Sequence, residues 1–179
     1  MRTEARMTRD ADDVPAWIRP TMDRYERPLL VYTRRLLNNS NHAADVFHEA
    51  FLKLCGQSPG ALNGSLLPWL YTVCRSRAMD IKRKEKRMTL ILAETVDRTA
   101  ESTISPAEQA ERSDSTSQII RLMANLPPNQ QETLRLKFQH RMSYRKISCI
   151  TGLTETNIGF LISTGLKTIR ERLRERGEL

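Results

Sequence analysis

The stretch SYRKISCITGLTETNIGFLISTGLKTIRERLRER, Ser143 to Arg176, decides the fold. Its apolar residues recur at helical spacing, with no sustained strand alternation here or elsewhere in the chain. Ser143 can cap a short helix that carries Ile147 and Ile150, and Gly152 supplies the left-handed residue that ends it. Thr154 can cap a second helix, which buries Ile158, Leu161, Ile162 and Ile169. A short helix, a glycine turn and a second apolar-periodic helix make a helix-turn-helix pattern. Two helices of a plain bundle are the alternative.

Outward from that stretch the chain stays helical. A helix from about Asn129 to Gln139 is expected to bury Leu134 and Phe138, and Pro127 and Pro128 close the one before it near Leu126. Residues 93–107 are acidic, rich in Ser and Thr and weakly apolar, so they read as a linker, with Pro106 opening the next helix. Before the linker stands LPWLYTVCRSRAMDIKRKEKR, Leu67 to Arg87. Leu70, Val73, Cys74, Ala78 and Ile81 form its apolar stripe, interrupted by Arg77. Tyr71, Arg75, Met79, Lys82 and Lys86 lie roughly opposite. A helix with a core side, a cationic side and aromatics at one end suits a nucleic-acid strand with unstacked bases; an ordinary solvated basic face is the alternative. Gly56 to Ser65 is a loop. A helix from about His42 to Cys55 turns Val46, Phe47, Ala50, Phe51 and Leu54 mostly inward. A first helix, about Thr21 to Leu37, contains Pro28, which can kink or split it. Residues 1–19 read as a loose arm, with Trp17 and Ile18 able to dock on that first helix.

The 179 residues suit one ordinary domain or two small ones, and 6% aromatic content suits small helical cores. The formal charge of +8 is uneven: residues 1–68 carry +1, residues 69–87 carry +5, residues 88–120 carry −4 and residues 121–179 carry +6. Two basic blocks around an acidic stretch suggest two contacts with one polyanion. Cys55, Cys74 and Cys149 lie far apart inside predicted helices and read as buried free thiols. No metal-ligand spacing, carboxylate cluster or nucleophile context is found, so neither an enzyme nor a metal or cofactor site is expected. No apolar run reaches a membrane span and no signal peptide is seen, so a soluble cytoplasmic protein without membrane contact is expected.

The order of these parts resembles a bacterial RNA polymerase sigma factor of the short extracytoplasmic-function type. YERPLLVYTRRLLNNSNHAADVFHEAFLKL is similar to the family's first two conserved helices. PWLYTVCRSRAMDIKRKEKR resembles its promoter-melting helix. LPPNQQETLRLKF followed by SYRKISCITGLTETNIGFL resembles the domain that reads the upstream promoter element. The resemblance implies an all-α chain of two small helical domains joined by a flexible linker. An arm at 1–19 precedes sigma domain two at 20–92, and the linker at 93–107 leads to sigma domain four at 108–179, with its helix-turn-helix. It implies a non-catalytic subunit that binds core RNA polymerase, through a coiled coil of the largest subunit and the flap. That subunit would bind promoter DNA as duplex and as melted single strand. Factors of this type are often held by an anti-sigma partner.

On that resemblance, Asp45, Val46, His48, Glu49 and Leu52 would dock on polymerase. Trp69, Tyr71, Arg75, Ser76, Met79, Lys82, Arg83 and Lys86 would capture the melted downstream element. The 56–68 loop beside Trp69 could build a pocket for a flipped base, with Trp69 either stacking on that base or wedging between helices. Arg141, Arg145, Lys146, Thr156, Asn157, Phe160, Ser163 and Lys167 would meet the upstream element, with Arg170 and Arg174 adding phosphate anchors. Asn can read adenine, and Phe or Thr can touch a thymine methyl, which favours an A·T-leaning element; packing of Phe160 on a partner is the alternative. The chain departs from the family at several positions. Ala44 stands where an acidic residue is usual, His48 where Gln is common, Cys55 where Trp often closes the helix and Ser76 where Asn is frequent. Gly159, Leu161 and Thr164 stand where basic residues are usual. A stand-alone helix-turn-helix regulator is the rival function, and it leaves the 42–55 and 67–87 helices unexplained.

Overall fold

A computed structural model of the chain describes residues 15–37, 39–62, 64–93 and 114–175. Every element among them is helical. In chain order they are α1 (Ile18–Leu37), α2 (Ser40–Cys55), a 3₁₀ turn (Pro59–Leu62), α3 (Leu66–Ala93), α4 (Asp114–Ala124), α5 (Pro128–Leu134), a π-helical turn (Arg135–Gln139), α6 (Tyr144–Thr151) and α7 (Glu155–Glu175). The expected opening of α4 at Pro106 and most of the 93–107 linker lie outside the described residues.

The first half packs α1, α2 and α3 around Leu29, Phe47, Phe51, Leu54, Leu70 and Cys74. α1 begins before the expected end of the arm, and Ile18 is fully buried, so the arm's last residues belong to the fold. The helix runs unbroken through Pro28. Proline removes one intrahelical hydrogen bond, but Tyr25 and Leu29 on either side pack on the core and hold the axis. Asn39 caps α2, its side-chain oxygen accepting from the backbone N–H groups of Asn41 and His42.

The second half packs α5 and α6 against α7. The Gln131 amide spans the α4–α5 turn, donating to the carbonyls of Ala124 at 2.9 Å and Leu126 at 2.7 Å. Ser143 caps α6 by accepting from Lys146 N–H at 3.3 Å, and Thr154 caps α7 by accepting from Asn157 N–H at 3.2 Å. Gly152 between them has φ +74°, the left-handed geometry the helix-turn-helix needs. Ile147, Ile150, Ile158, Ile162 and Ile169 are all buried, whereas Leu161 is half-buried.

Besides Leu161, two expectations about the core fail. Phe138 is 55% exposed. The π turn inserts extra residues per turn and rotates the stripe, so Leu136 takes the core position and Phe138 swings outward. The thiols also differ from expectation: Cys74 is buried, Cys55 half-buried and Cys149 exposed.

Candidate functional site

Three surfaces gather the candidate residues, and a fourth contact joins the halves. On α2, Asp45, His48 and Leu52 fall on one exposed face at helical spacing, with Ala44 and Glu49 at its edges. Leu52 is 73% exposed, the most exposed large apolar side chain of the described residues. Val46 does not belong to this face: it is 1% exposed and packs into the core. His42, Asp45, His48, Glu49 and Leu52 line a shallow cavity of about 460 Å³ with Arg77 and Ile81 of α3. Arg77 explains its own break in the apolar stripe, because its Nε lies 2.7 Å from Glu49 Oε2. The two groups are an ion pair by distance, although the N–H is not aimed along a hydrogen bond. Glu49 is therefore partly neutralised within the chain, whereas among the described residues Asp45 has no ion-pair partner.

The cationic helix α3 divides along its length. Toward its C-terminal end Lys82, Arg83 and Lys86 are exposed, and Arg83 pairs with Asp80 one turn back at 2.8 Å. Ser76 is exposed and Met79 half-buried. Trp69 is half-buried at the first turn and packs against the core. Tyr71, expected opposite the apolar stripe, is buried instead. Its hydroxyl lies 2.8 Å from His140 Nδ1 across the boundary between the halves.

That boundary is polar at its centre. Glu132 of α5 is 7% exposed and accepts from Tyr32 OH at 2.7 Å, from Arg75 Nε at 2.8 Å and from Arg75 Nη2 at 3.2 Å. The rings of Tyr32 and Tyr71 stand 4.9 Å apart, and His140 meets both edge-on. Burial, and then the Glu132 carboxylate, push the Tyr32 hydroxyl well above its ordinary range. Burial opposes charge on the Arg75 guanidinium, but the hydrogen bonds and charge of Glu132 outweigh it and hold Arg75 more firmly cationic than usual. Burial alone pushes His140 down to about 4, and burial, then the nearby Cys74 and Tyr25, raise Tyr71, so at neutral pH a protonated hydroxyl faces a neutral ring. Tyr71 can then donate to Nδ1, which puts the ring proton on Nε2. Burial, then the nearby Arg35 cation, lower Arg135 to about 10. Sequence reading missed Glu132, Tyr32 and His140. No local pattern marks them, because each acquires its role from the other half of the chain.

On α7, Thr156, Asn157, Phe160, Ser163 and Lys167 are all exposed along one face. Phe160 is 64% exposed, so most of its ring faces solvent. Lys167 approaches Glu171 only loosely, at 3.8 Å. Arg141, Arg145 and Lys146 are exposed at the start of the helix-turn-helix, with Arg170 and Arg174 exposed near the end of α7. Two of the three positions where basic residues were expected are not outward. Leu161 is half-buried, and Thr164 accepts from Gln130 Nε2 at 3.2 Å across to α5. Gly159 sits against the Tyr144 ring, 3.5 Å from where a Cβ would stand. The neutral residues there serve packing within the second half.

The described residues include no group of three or more His, Cys, Asp or Glu side chains placed to hold a metal ion, and no helix long and apolar enough to cross a membrane. The family model for sigma-70 region 2 matches residues 21–88, and that for sigma-70 region 4 matches residues 116–169. The chain is similar to the extracytoplasmic-function RNA polymerase sigma factor SigM of Bacillus subtilis, 27% identical over 116 residues, covering 64% of this chain and 69% of SigM. It is also similar to the probable RNA polymerase sigma factor RfaY of Xanthomonas campestris, 26% identical over 151 residues, covering 82% of this chain but only 37% of RfaY. Among solved structures it shares the fold of RpoE from Bartonella quintana, crystallised with the anti-sigma factor NepR. The TM-score is 0.66 at 19% identity, over 89% of this chain and 98% of that one.

Proposed function

The chain belongs to the sigma-70 family of RNA polymerase sigma factors, in its extracytoplasmic-function type, and we propose that it binds core RNA polymerase and directs promoter recognition, melting and transcription initiation. It is a regulatory subunit and does no bond chemistry itself. It works in the cytoplasm, where polymerase is.

The observation that carries this reading is the order of surfaces along one chain: an exposed acidic and apolar face on α2, a cationic helix α3, then a helix-turn-helix with an uncovered outer face. The α2 face, Asp45, His48 and Leu52 with Glu49 at its edge, docks on a basic and apolar surface of polymerase. The exposed cations of α3 follow the backbone of the displaced strand. Opening a duplex costs unpairing and unstacking energy, which contacts to the melted strand recover. α7 enters the major groove of the upstream element, with Asn157 and Phe160 offered to base edges while Arg141, Arg145 and Lys146 anchor phosphates. The same surfaces suit an anti-sigma partner that competes for them. A stand-alone regulator would need neither the α2 face nor the cations of α3.

The test is run-off transcription from a genomic fragment library with core polymerase. Defined transcripts should start only when the chain is added. Specific duplex binding by the chain alone, with no effect on polymerase, would instead establish the stand-alone regulator.

A further inference from the structure

The charges along the exposed face of α2 are unequally engaged. Glu49 is drawn to Arg77 of α3 at 2.7 Å, and His42 Nδ1 lies 3.2 Å from Glu85 Oε1, also on α3. Asp45 and His48 have no ion-pair partner among the described residues. Both are exposed and stand three residues apart, neighbours on one helical face. The uncharged Phe47 ring meets His48 edge-on, 5.6 Å between centroids. His42, Glu49, Leu52, Arg77 and Ile81 complete the lining of the cavity, to which α1 contributes no residue. With both imidazoles neutral, Asp45, Glu49 and Arg77 give that lining a formal net charge of −1. One proton on His48 brings it to zero, whereas a proton on His42 faces Glu85 and is answered within the chain.

We propose that His48 sets how strongly α2 docks on polymerase: neutral, it leaves Asp45 free to meet a basic surface, and protonated, it cancels that acid and repels the same surface. The proposal rests on the reading of α2 as the polymerase-docking face. A basic partner favours the neutral imidazole, so docking releases a proton. Affinity therefore falls as pH drops through the range in which an imidazole ordinarily titrates. Two features make one proton count. Ala44 stands where a second acid is usual, and Glu49 is shared with Arg77, so a single unshared carboxylate carries the attraction of this face. His48 stands where Gln is common, and Gln is polar but takes no proton in this range. The chain thus gains a pH response at that position without losing a polar side chain.

The test titrates core polymerase into the full chain, dye-labelled at the exposed Cys149 in a Cys55→Ser background with Cys74 left buried. Fluorescence anisotropy reads binding at one ionic strength, at about pH 8 and about pH 6, which bracket the ordinary imidazole range. Wild type should bind about 3-fold more weakly at the lower pH, the ordinary worth of one exposed charge interaction. Groups on polymerase titrate too, so the readout is the difference from His48→Gln, which should lack this loss. His48→Lys, with a fixed cation, should bind weakly at both values. Calorimetry at about pH 6.5 in two buffers of different ionisation heat should show wild type releasing more protons on docking than His48→Gln. The proposal is overturned if His48→Gln keeps the wild-type dependence, if His42→Asn abolishes it instead, or if His48→Lys binds as wild type does at the higher pH. If Leu52→Asp, on the same face, binds polymerase undiminished at the higher pH, the docking reading itself fails. That result is distinct from a flat pH response on a face that docks.

Discussion

α3 and α7 carry the two sets of candidate DNA contacts, and the rest of the molecule treats them oppositely. Along α7 the candidate readers Thr156, Asn157, Phe160, Ser163 and Lys167 all face solvent, and the positions that face inward carry Ile158, Ile162, Gly165 and Ile169. Along α3 the first three turns are committed: Tyr71 is buried against His140, Arg75 is bound to Glu132 and Trp69 is packed on the core. Farther along, Lys82, Arg83 and Lys86 are exposed. The proposed upstream reader is therefore uncovered in this arrangement, while the proposed strand-capture surface is half covered.

The sharpest way to break this contrast is to truncate one aromatic on each helix. Tyr71→Ala removes a buried ring and should cost about 3–5 kcal/mol of stability in thermal or denaturant unfolding. Phe160→Ala removes an exposed one and should leave stability within about 0.5 kcal/mol. If both variants unfold alike, the two helices are not in opposite environments.

A base-reading role for α7 predicts the next largest effect. Asn157→Ala should weaken binding of polymerase holoenzyme to the upstream element by roughly 1–3 kcal/mol and relax preference at one base pair. Affinity for core polymerase should stay the same. A base-substitution scan should show A·T pairs dominating that element, and dominance of G·C pairs would refute the assignment of Asn157 and Phe160 to adenine and thymine.

pH sharpens the description of the boundary between the halves. Folding holds His140 near 4, below its ordinary 6.5, so the unfolded chain binds more protons at this residue. Stability from this group is complete above the ordinary value and falls as pH drops from about 6.5 toward 4. His140 is only partly buried, so the loss is on the order of 1 kcal/mol. His140→Gln should flatten that part of the stability–pH curve, whereas the recognition face of α7 carries no comparable buried group and should not contribute to it. An unchanged slope in the variant would place the titration elsewhere.

The smallest effect concerns α2, whose docking face is uncovered like that of α7. Ala44→Glu should restore an acidic pair with Asp45 and tighten polymerase binding by up to about 1 kcal/mol, the ordinary worth of an exposed charge pair. Unchanged affinity in a titration of core polymerase would remove charge at this position from the docking interaction.

Much of this contrast follows from how far each residue's environment reaches along the chain. The caps Ser143 and Thr154, the Gly152 turn and the isoleucine stripe of α6 and α7 are legible because their partners lie within a few residues. Tyr71 and Arg75 are not, because the groups that bury or bind them lie 69 and 57 residues away. Read by period alone, both fall on the polar side of α3, and the second half makes that side an interface. Phe138 was misplaced for a different reason: a π turn has no plain signature in residue type, and it shifts every later position of the stripe. Val46 shares a helix with the docking face but points to the core, so membership of a motif did not fix the side on which its residue lies.

The most direct measurement is permanganate footprinting of thymines on a cognate promoter, with core polymerase, with the chain, and with both. Reactive thymines near the start site should appear only when both are present, and should be lost with Leu52→Asp, which spoils the docking face. Reactivity with polymerase alone, or promoter binding by the chain that leaves the duplex closed even in polymerase's presence, would contradict its role as the subunit that opens promoters.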